Sequence, residues 1–184
     1  MYILTLNMDT IHLSDIKQGT PGITPVEGAN LFENCVVALH NSKHASPVTI
    51  QVEGLRTDPL SLIWEDCFTD QLSRTYADGQ SVTERAAVAV SVMLALYTTG
   101  YTVVERSRKG TGFDYFLGDN QDPLFTPKAR LEISGIMCET DSNTLATRYQ
   151  QKAMQMSKSD DSQLPAFISI VEFSTPKVKY DKKL

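Results

Sequence analysis

Apolar and polar positions recur with two different periods along the chain, and these periods predict an order of helices and strands. From residue 83 to residue 99, apolar residues repeat at helical spacing and form a broad apolar face, and Gly100 supplies the stop. After this helix the pattern predicts three strands, a helix and a strand, over residues 101–105, 113–117, 130–137, 142–157 and 167–173. The predicted order is therefore helix, three strands, helix, strand.

The preceding 78 residues predict a smaller unit of mixed structure. The pattern predicts a strand, a loop, a helix and a strand over residues 1–7, 17–28, 29–43 and 48–52. Segment 60–64 is apolar but short, so it fits either a strand or the opening of a helix that continues through Tyr76. The turn signal Asp78-Gly79 marks a seam between this unit and the rest.

Together these elements predict an α/β (α+β) fold with a mixed central sheet flanked by helices. Residues 1–78 are expected to form an N-terminal α+β lobe, packed on an αβββαβ core over residues 79–175. The lysine-rich residues 176–184 are expected to form a basic, flexible tail.

Composition limits the classes of protein to which the chain can belong. With 184 residues, 41% apolar and 21% charged, it has the make-up of one ordinary globular domain. A net charge of −5 argues against a global basic field for nucleic acid, although a local basic patch stays open. The three cysteines lack metal-binding spacing, which predicts reduced thiols and a cytoplasmic protein. The first seven residues lack a basic region and a long apolar run, so the pattern predicts neither a signal peptide nor a membrane span there.

Two predicted strands each place one carboxylate among apolar neighbours, namely Asp114 and Glu132. A buried carboxylate is costly unless a metal ion or hydrogen-bond donors balance its charge. Two such residues on adjacent strands therefore form either a cation site, for which Mg²⁺ is suited, or a structural polar network. In the second case Asp114 would bond loop amides, and Glu132 would pair with Arg130, Arg108 or Arg148.

A basic, glycine-containing loop, residues 106–112, directly precedes Asp114. Its cations and free amides could hold a phosphate backbone beside a metal ion, or the loop could be an ordinary solvated turn. Cationic residues here and on the third strand are the candidate nucleic-acid contacts: Arg106, Arg108, Lys109, Lys128 and Arg130.

The element order, with Asp114 in one strand and Glu132 in the next, resembles the core of the PD-(D/E)xK nuclease superfamily, the restriction-endonuclease-like fold, over about residues 81–174. The resemblance implies that Asp114 and Glu132 hold Mg²⁺, or Mn²⁺ in its place, with Glu84 of the first helix as a third ligand. It also implies a catalytic lysine two residues after Glu132. Ser134 occupies that position, so Lys152 of the second helix becomes the first candidate replacement, with Arg130 and Lys128 as further candidates.

Two of these residues also have simpler interpretations. Glu84 lies three residues after Ser81, so its carboxylate could serve a capping box at the start of the helix. Lys152 could lie on the solvated side of its helix. Either outcome would remove one member from the implied site.

The resemblance implies Mg²⁺-dependent hydrolysis of phosphodiesters in DNA or RNA, with Asp114, Glu132 and Lys152 as the catalytic residues. The alternative is a catalytically inactive nuclease-fold subunit that binds a protein partner. The missing lysine, the acidic net charge and the small size favour a subunit that works with a partner or as a homo-oligomer. Similar folds are frequent in bacterial and phage-defence operons, so by analogy we expect a role in antiviral defence.

Overall fold

The computed structural model describes residues 8–183, in which one mixed sheet of eight strands carries helices on both faces. The helices are α1 (Pro25–Asn41), α2 (Asp70–Thr75), α3 (Gly79–Thr99) and α4 (Leu145–Met156). The strands are β1 (Thr10–His12), β2 (Val48–Gly54), β3 (Leu60–Ile63), β4 (Thr102–Arg106), β5 (Tyr115–Gly118), β6 (Pro127–Ile136), β7 (Ala166–Glu172) and β8 (Lys177–Lys182). They lie in the order β1-β3-β2-β8-β7-β6-β5-β4. The mixed α+β fold is as predicted, while the strand predicted over residues 1–7 lies outside the described residues.

The second half of the chain follows the predicted order, α3, β4, β5, β6, α4, β7. Helix α3 begins after Asp78, whose carboxylate caps the amides of Gln80 and Ser81. It ends at Gly100, which has the left-handed conformation (φ 73°) typical of a glycine at a helix C-terminus. Strands β4, β5 and β6 are antiparallel neighbours, and β7 runs parallel to β6 after the α4 crossover.

Strand β6 is buried on both of its faces, and this decides which side chains can meet. Because side chains alternate along a strand, Leu131 and Ile133 face α3, whereas Glu132 and Ser134 face α4. The acidic position of the strand therefore lies under the helix that carries Lys152.

The first 78 residues extend the same sheet. Segment 60–64 is a strand, β3, which pairs with β1 and β2, and β2 then pairs with β8. Helix α1 packs on α3 within one apolar core that includes residues from before and after Asp78. It begins at Pro25, earlier than predicted, because Thr24 caps it and Pro25 fits its first turn, so the predicted loop over residues 17–28 ends too late. A 3-10 helix, Leu13–Gln18, also enters that segment.

The expected flexible tail is wrong. Strand β8 lies between β2 and β7 and is paired along its length with β7. Its lysines alternate with Val178 and Tyr180, which are fully buried, so the segment is an interior strand of the sheet. Within residues 8–183, no helix combines the length and the apolar character needed to cross a membrane.

Candidate metal and phosphate site

Asp114 and Glu132 are brought together at the start of β5. The backbone amide of Asp114 donates to the carbonyl of Leu131 (3.0 Å), and its Oδ2 accepts from the amide of Ile133 (2.8 Å). These two bonds hold Asp114 against β6 on either side of Glu132. The two carboxyl groups are close enough to share a hydrogen bond when one of them is protonated.

Glu132 is buried, with only 1% of its surface exposed, and its two carboxylate oxygens have different surroundings. Oε1 accepts from Lys152 Nζ (2.6 Å) and from Gln155 Nε2 (3.0 Å). Oε2 is buried and has no hydrogen-bond donor in the part of the chain that the structure describes. Because a buried polar atom without a partner is costly, this oxygen marks a position that a proton or a cation can fill.

The protonation equilibria of the two acids reflect this arrangement. Burial raises the pKa of Glu132 to about 7, the negative charge of Asp114 adds to the rise, and Lys152 opposes it. Burial also raises the pKa of Asp114, against the lowering effects of the Ile133 amide and of Lys152. The pair therefore holds one proton more readily than separate, exposed carboxyl groups would.

The donor set fits Mg²⁺ or Mn²⁺. Mg²⁺ usually binds through one or two carboxylates and keeps several waters, so Asp114 and Oε2 of Glu132 suffice as protein ligands. Among residues 8–183, the structure shows no group of three or more His, Cys, Asp or Glu side chains that could hold a metal ion. A resident ion would consequently keep open positions for water and substrate.

The predicted third ligand, Glu84, is not brought into this pair. It is exposed on α3, where its Oε1 accepts from Gln80 Nε2 (3.1 Å). The capping-box interpretation is also wrong, because Asp78 rather than Ser81 caps the helix. Glu84 instead lines the cleft above Asp114.

Lys152 folds back towards the acids, so its placement on the solvated side of α4 is wrong. Its side chain is 21% exposed, and its ammonium group bonds Glu132 directly. Ser134, at the expected lysine position, is instead approached by Nη1 of Arg148, 3.4 Å from its Oγ. Two cationic side chains of α4 thus face the two successive polar positions of β6.

A cleft of about 430 Å³ opens over this site between α3, α4 and the basic loop. Its polar walls are formed by Ser81, Glu84, Arg85, Arg106, Asp114, Ser134, Arg148 and Lys152. Glu132 lies below this surface, whereas Asp114 reaches it. A phosphate entering the cleft would meet arginine side chains from three different segments of the chain.

The predicted nucleic-acid contacts separate into three groups. Arg106 lines the cleft, and Arg108 and Lys109 are exposed further along the same loop. Lys128 is exposed at the start of β6, away from the cleft lining. Arg130 was wrongly predicted, because its guanidinium is buried and bonds the carbonyl of Leu164 (2.9 and 3.1 Å), with further bonds to the 3-10 helix Ser157–Ser162.

Sequence reasoning missed Arg85 and Gln155 and named Arg148 only as a salt-bridge partner for Glu132. Arg148, Lys152 and Gln155 are spaced by four and three residues, so they share one face of α4. This spacing could have been read from the sequence once α4 was predicted. Arg85 could not, because its position depends on Asn30 and Glu27 of α1, which bond its guanidinium at 2.6 and 2.8 Å.

Comparison with protein-family models, with curated proteins and with solved structures found no match to this chain. The chemistry of the site is therefore inferred from its own residues and their geometry.

Proposed function

We propose that this chain is a metal-dependent nuclease that hydrolyses phosphodiester bonds of DNA or RNA in the cleft above Asp114. The observation that carries the proposal is the buried oxygen Oε2 of Glu132, which lacks a donor and lies beside a second carboxyl group. The resemblance of the element order and acidic positions to the PD-(D/E)xK superfamily supports the same activity.

Asp114 and Glu132 would hold Mg²⁺ or Mn²⁺ as the protein part of its coordination shell. When bound, such an ion polarises a phosphoryl oxygen and lowers the pKa of a coordinated water, which favours attack on phosphorus. The amide of Ile133 fixes the orientation of the Asp114 carboxylate and so keeps one ligand in place before substrate arrives.

Lys152 is oriented by Glu132 Oε1 and, more weakly, by Gln155 Oε1 at 3.4 Å. As a catalytic residue, Lys152 would use its ammonium group to stabilise the negative charge that develops on the phosphate during hydrolysis. Because the side chain comes from α4 rather than from β6, it takes the place of the lysine that is absent at Ser134. Arg106 at the cleft wall would bind the phosphate backbone without reading the bases.

A second candidate function, an inactive subunit that binds a protein partner, is favoured by Ser134 and by the ion pair between Lys152 and Glu132. In that case the pair is a structural link that offsets the burial of one charge. A place in a bacterial defence complex follows from analogy alone. The two candidates differ in whether Asp114 has any catalytic consequence.

The test is cleavage of plasmid DNA and of single-stranded RNA by the full chain, with Mg²⁺ or Mn²⁺ and with EDTA as the metal-free control. We expect metal-dependent cleavage by the wild type and background cleavage by Asp114→Asn. Asp161→Asn is the matched control, because that carboxylate is exposed and does not line the cleft, and it should cleave like the wild type. Equal residual activity in the wild type and in Asp114→Asn would contradict the proposed nuclease.

A further inference from the structure

We propose that Arg148 binds the substrate phosphate in the cleft, as a second cation of α4 beside Lys152. This inference rests on the proposed function, because it assigns the phosphate contact of the same cleft. Its first observation is placement: Nη1 of Arg148 lies 3.4 Å from Ser134 Oγ, and both residues line the cleft with Asp114.

The second observation is the way in which the guanidinium group is held. Nε and Nη2 both donate to Oδ1 of Asn143, at 3.1 and 2.7 Å. Asn143 is itself fixed by a reciprocal pair of backbone hydrogen bonds with Thr140 (3.1 and 3.2 Å). The edge of the Arg148 guanidinium that carries Nε and Nη2 is therefore held by Asn143, and Nη1 points towards Ser134.

The third observation is charge. In the described part of the chain, Arg56, Arg85 and Arg130 each form an ion pair with a carboxylate, whereas Arg148, like Arg106 of the same cleft, forms none. Its anchor, Asn143, is neutral, so Arg148 is oriented without being neutralised. The charge is therefore available to an anion that enters the cleft, and the planar fork of arginine matches two phosphate oxygens.

The spacing of Arg148 and Lys152 on α4 places their positive charges at two different positions in the cleft. Arg148 and Lys152 lie one turn apart on α4 and face Ser134 and Glu132, which are two residues apart on β6. Lys152 is partly neutralised by Glu132, so Arg148 is the better anchor for a ground-state phosphate. Because this contact is to the backbone, binding should be independent of base sequence.

The binding test uses fluorescence anisotropy with labelled single-stranded and duplex oligonucleotides and the full chain, with Ca²⁺ in place of Mg²⁺ to suppress hydrolysis. For Arg148→Gln we expect affinity to fall about tenfold and the slope of log affinity against log salt to decrease by about 0.7 for single strands or about 0.9 for duplex. Arg74→Gln removes an exposed arginine of α2 outside the cleft and should behave like the wild type.

A second variant separates loss of the phosphate contact from loss of the fold. In Arg148→Gln/Ser134→Lys, the new ammonium group lies at the strand position itself, and we expect the salt slope to return towards the wild-type value. Failure of this double variant to regain the slope, or wild-type binding by Arg148→Gln, would overturn the assignment of Arg148. If binding depends on Arg148 but the wild type shows no cleavage, the assignment of Arg148 as a phosphate contact is supported and the proposed nuclease activity is contradicted.

Discussion

Two glutamates on the neighbouring parallel strands β6 and β7 are equally buried, at 1% exposure each, yet their carboxylates have opposite surroundings. In Glu172, both oxygens are fully used: Oε1 accepts from the amide and hydroxyl of Ser174, and Oε2 from those of Thr175. In Glu132, only Oε1 has donors, and Oε2 has none within residues 8–183. Glu172 is thus a carboxylate whose hydrogen bonds are complete, whereas Glu132 has one oxygen without a donor.

The comparison shows why burial of a charge by itself does not indicate function. Glu172 closes the turn between β7 and β8 and so helps to place an interior strand, and four donors balance its charge. Glu132 has a second acid beside it, and that acid, Asp114, lines the cleft under which Glu132 lies. The proposal therefore rests on an oxygen without a donor beside a second carboxyl group, rather than on the acidic residue type alone.

Substitution of glutamine should change the free energy of unfolding in opposite directions at Glu132 and Glu172. This difference should be larger than the pH effect described next. Glu172→Gln replaces one oxygen, which accepts two hydrogen bonds, by an NH₂ group that faces donors, and we expect a loss of about 2–3 kcal/mol. Glu132→Gln can turn its NH₂ towards Asp114, and we expect a gain of about 1 kcal/mol. Urea denaturation at pH 7.5 in EDTA measures both. Equal losses at the two positions would show that Glu132 is as fully balanced as Glu172.

The pH dependence of stability should sharpen the comparison with a smaller effect. Because the pKa of Glu132 is raised from 4.5 to about 7, the folded protein binds this proton more tightly than the unfolded chain does. The stabilisation is then complete below pH 4.5 and is lost as the pH rises through about 7. At about 1.4 kcal/mol for each unit of pKa shift, we expect the wild type to lose on the order of 3 kcal/mol relative to Glu132→Gln between pH 4.5 and pH 8.

Taking the difference between these two proteins removes the contribution of other acids. Asp160 and Glu139 have pKa values lowered by Lys183 and Lys177, so their stabilisation is present at neutral pH and is lost in acid. Denaturant titrations from pH 4.5 to pH 8 measure the difference. A difference that does not change over this range would contradict the raised pKa and the close approach of Asp114.

Local periodicity predicted the order of elements from α3 to β7, since each of these segments carries its own apolar pattern. The approach of Asp114 to Glu132 also followed, because consecutive short strands usually pair. What the sequence could not give was the partner of each polar side chain. Arg130 and Lys152 are both cationic and both near the acidic strand position, but one is buried beneath the 3-10 helix and the other bonds Glu132.

The strand β8, which was predicted as a tail, shows a second limit of prediction from the sequence. Its lysines suggested a solvated tail, although Val178 and Tyr180 alternate with them as in a strand with a buried side. The neighbours that bury these residues, β2 and β7, come from distant parts of the chain, so charge alone was misleading. Likewise, α3 is capped by Asp78, three residues before the predicted cap Ser81. Glu84 therefore does not take part in a capping box.

The most direct test of the proposed metal site is a crystal of the full chain soaked in Mn²⁺, with the ion located by its anomalous scattering. We expect a peak about 2.1 Å from a carboxylate oxygen of Asp114 and from Oε2 of Glu132, with Glu172 unchanged. The matched crystal of Asp114→Asn should show no peak there. A wild-type crystal without this peak, in which the two carboxyl groups share only a proton, would contradict the central claim that they form a metal site.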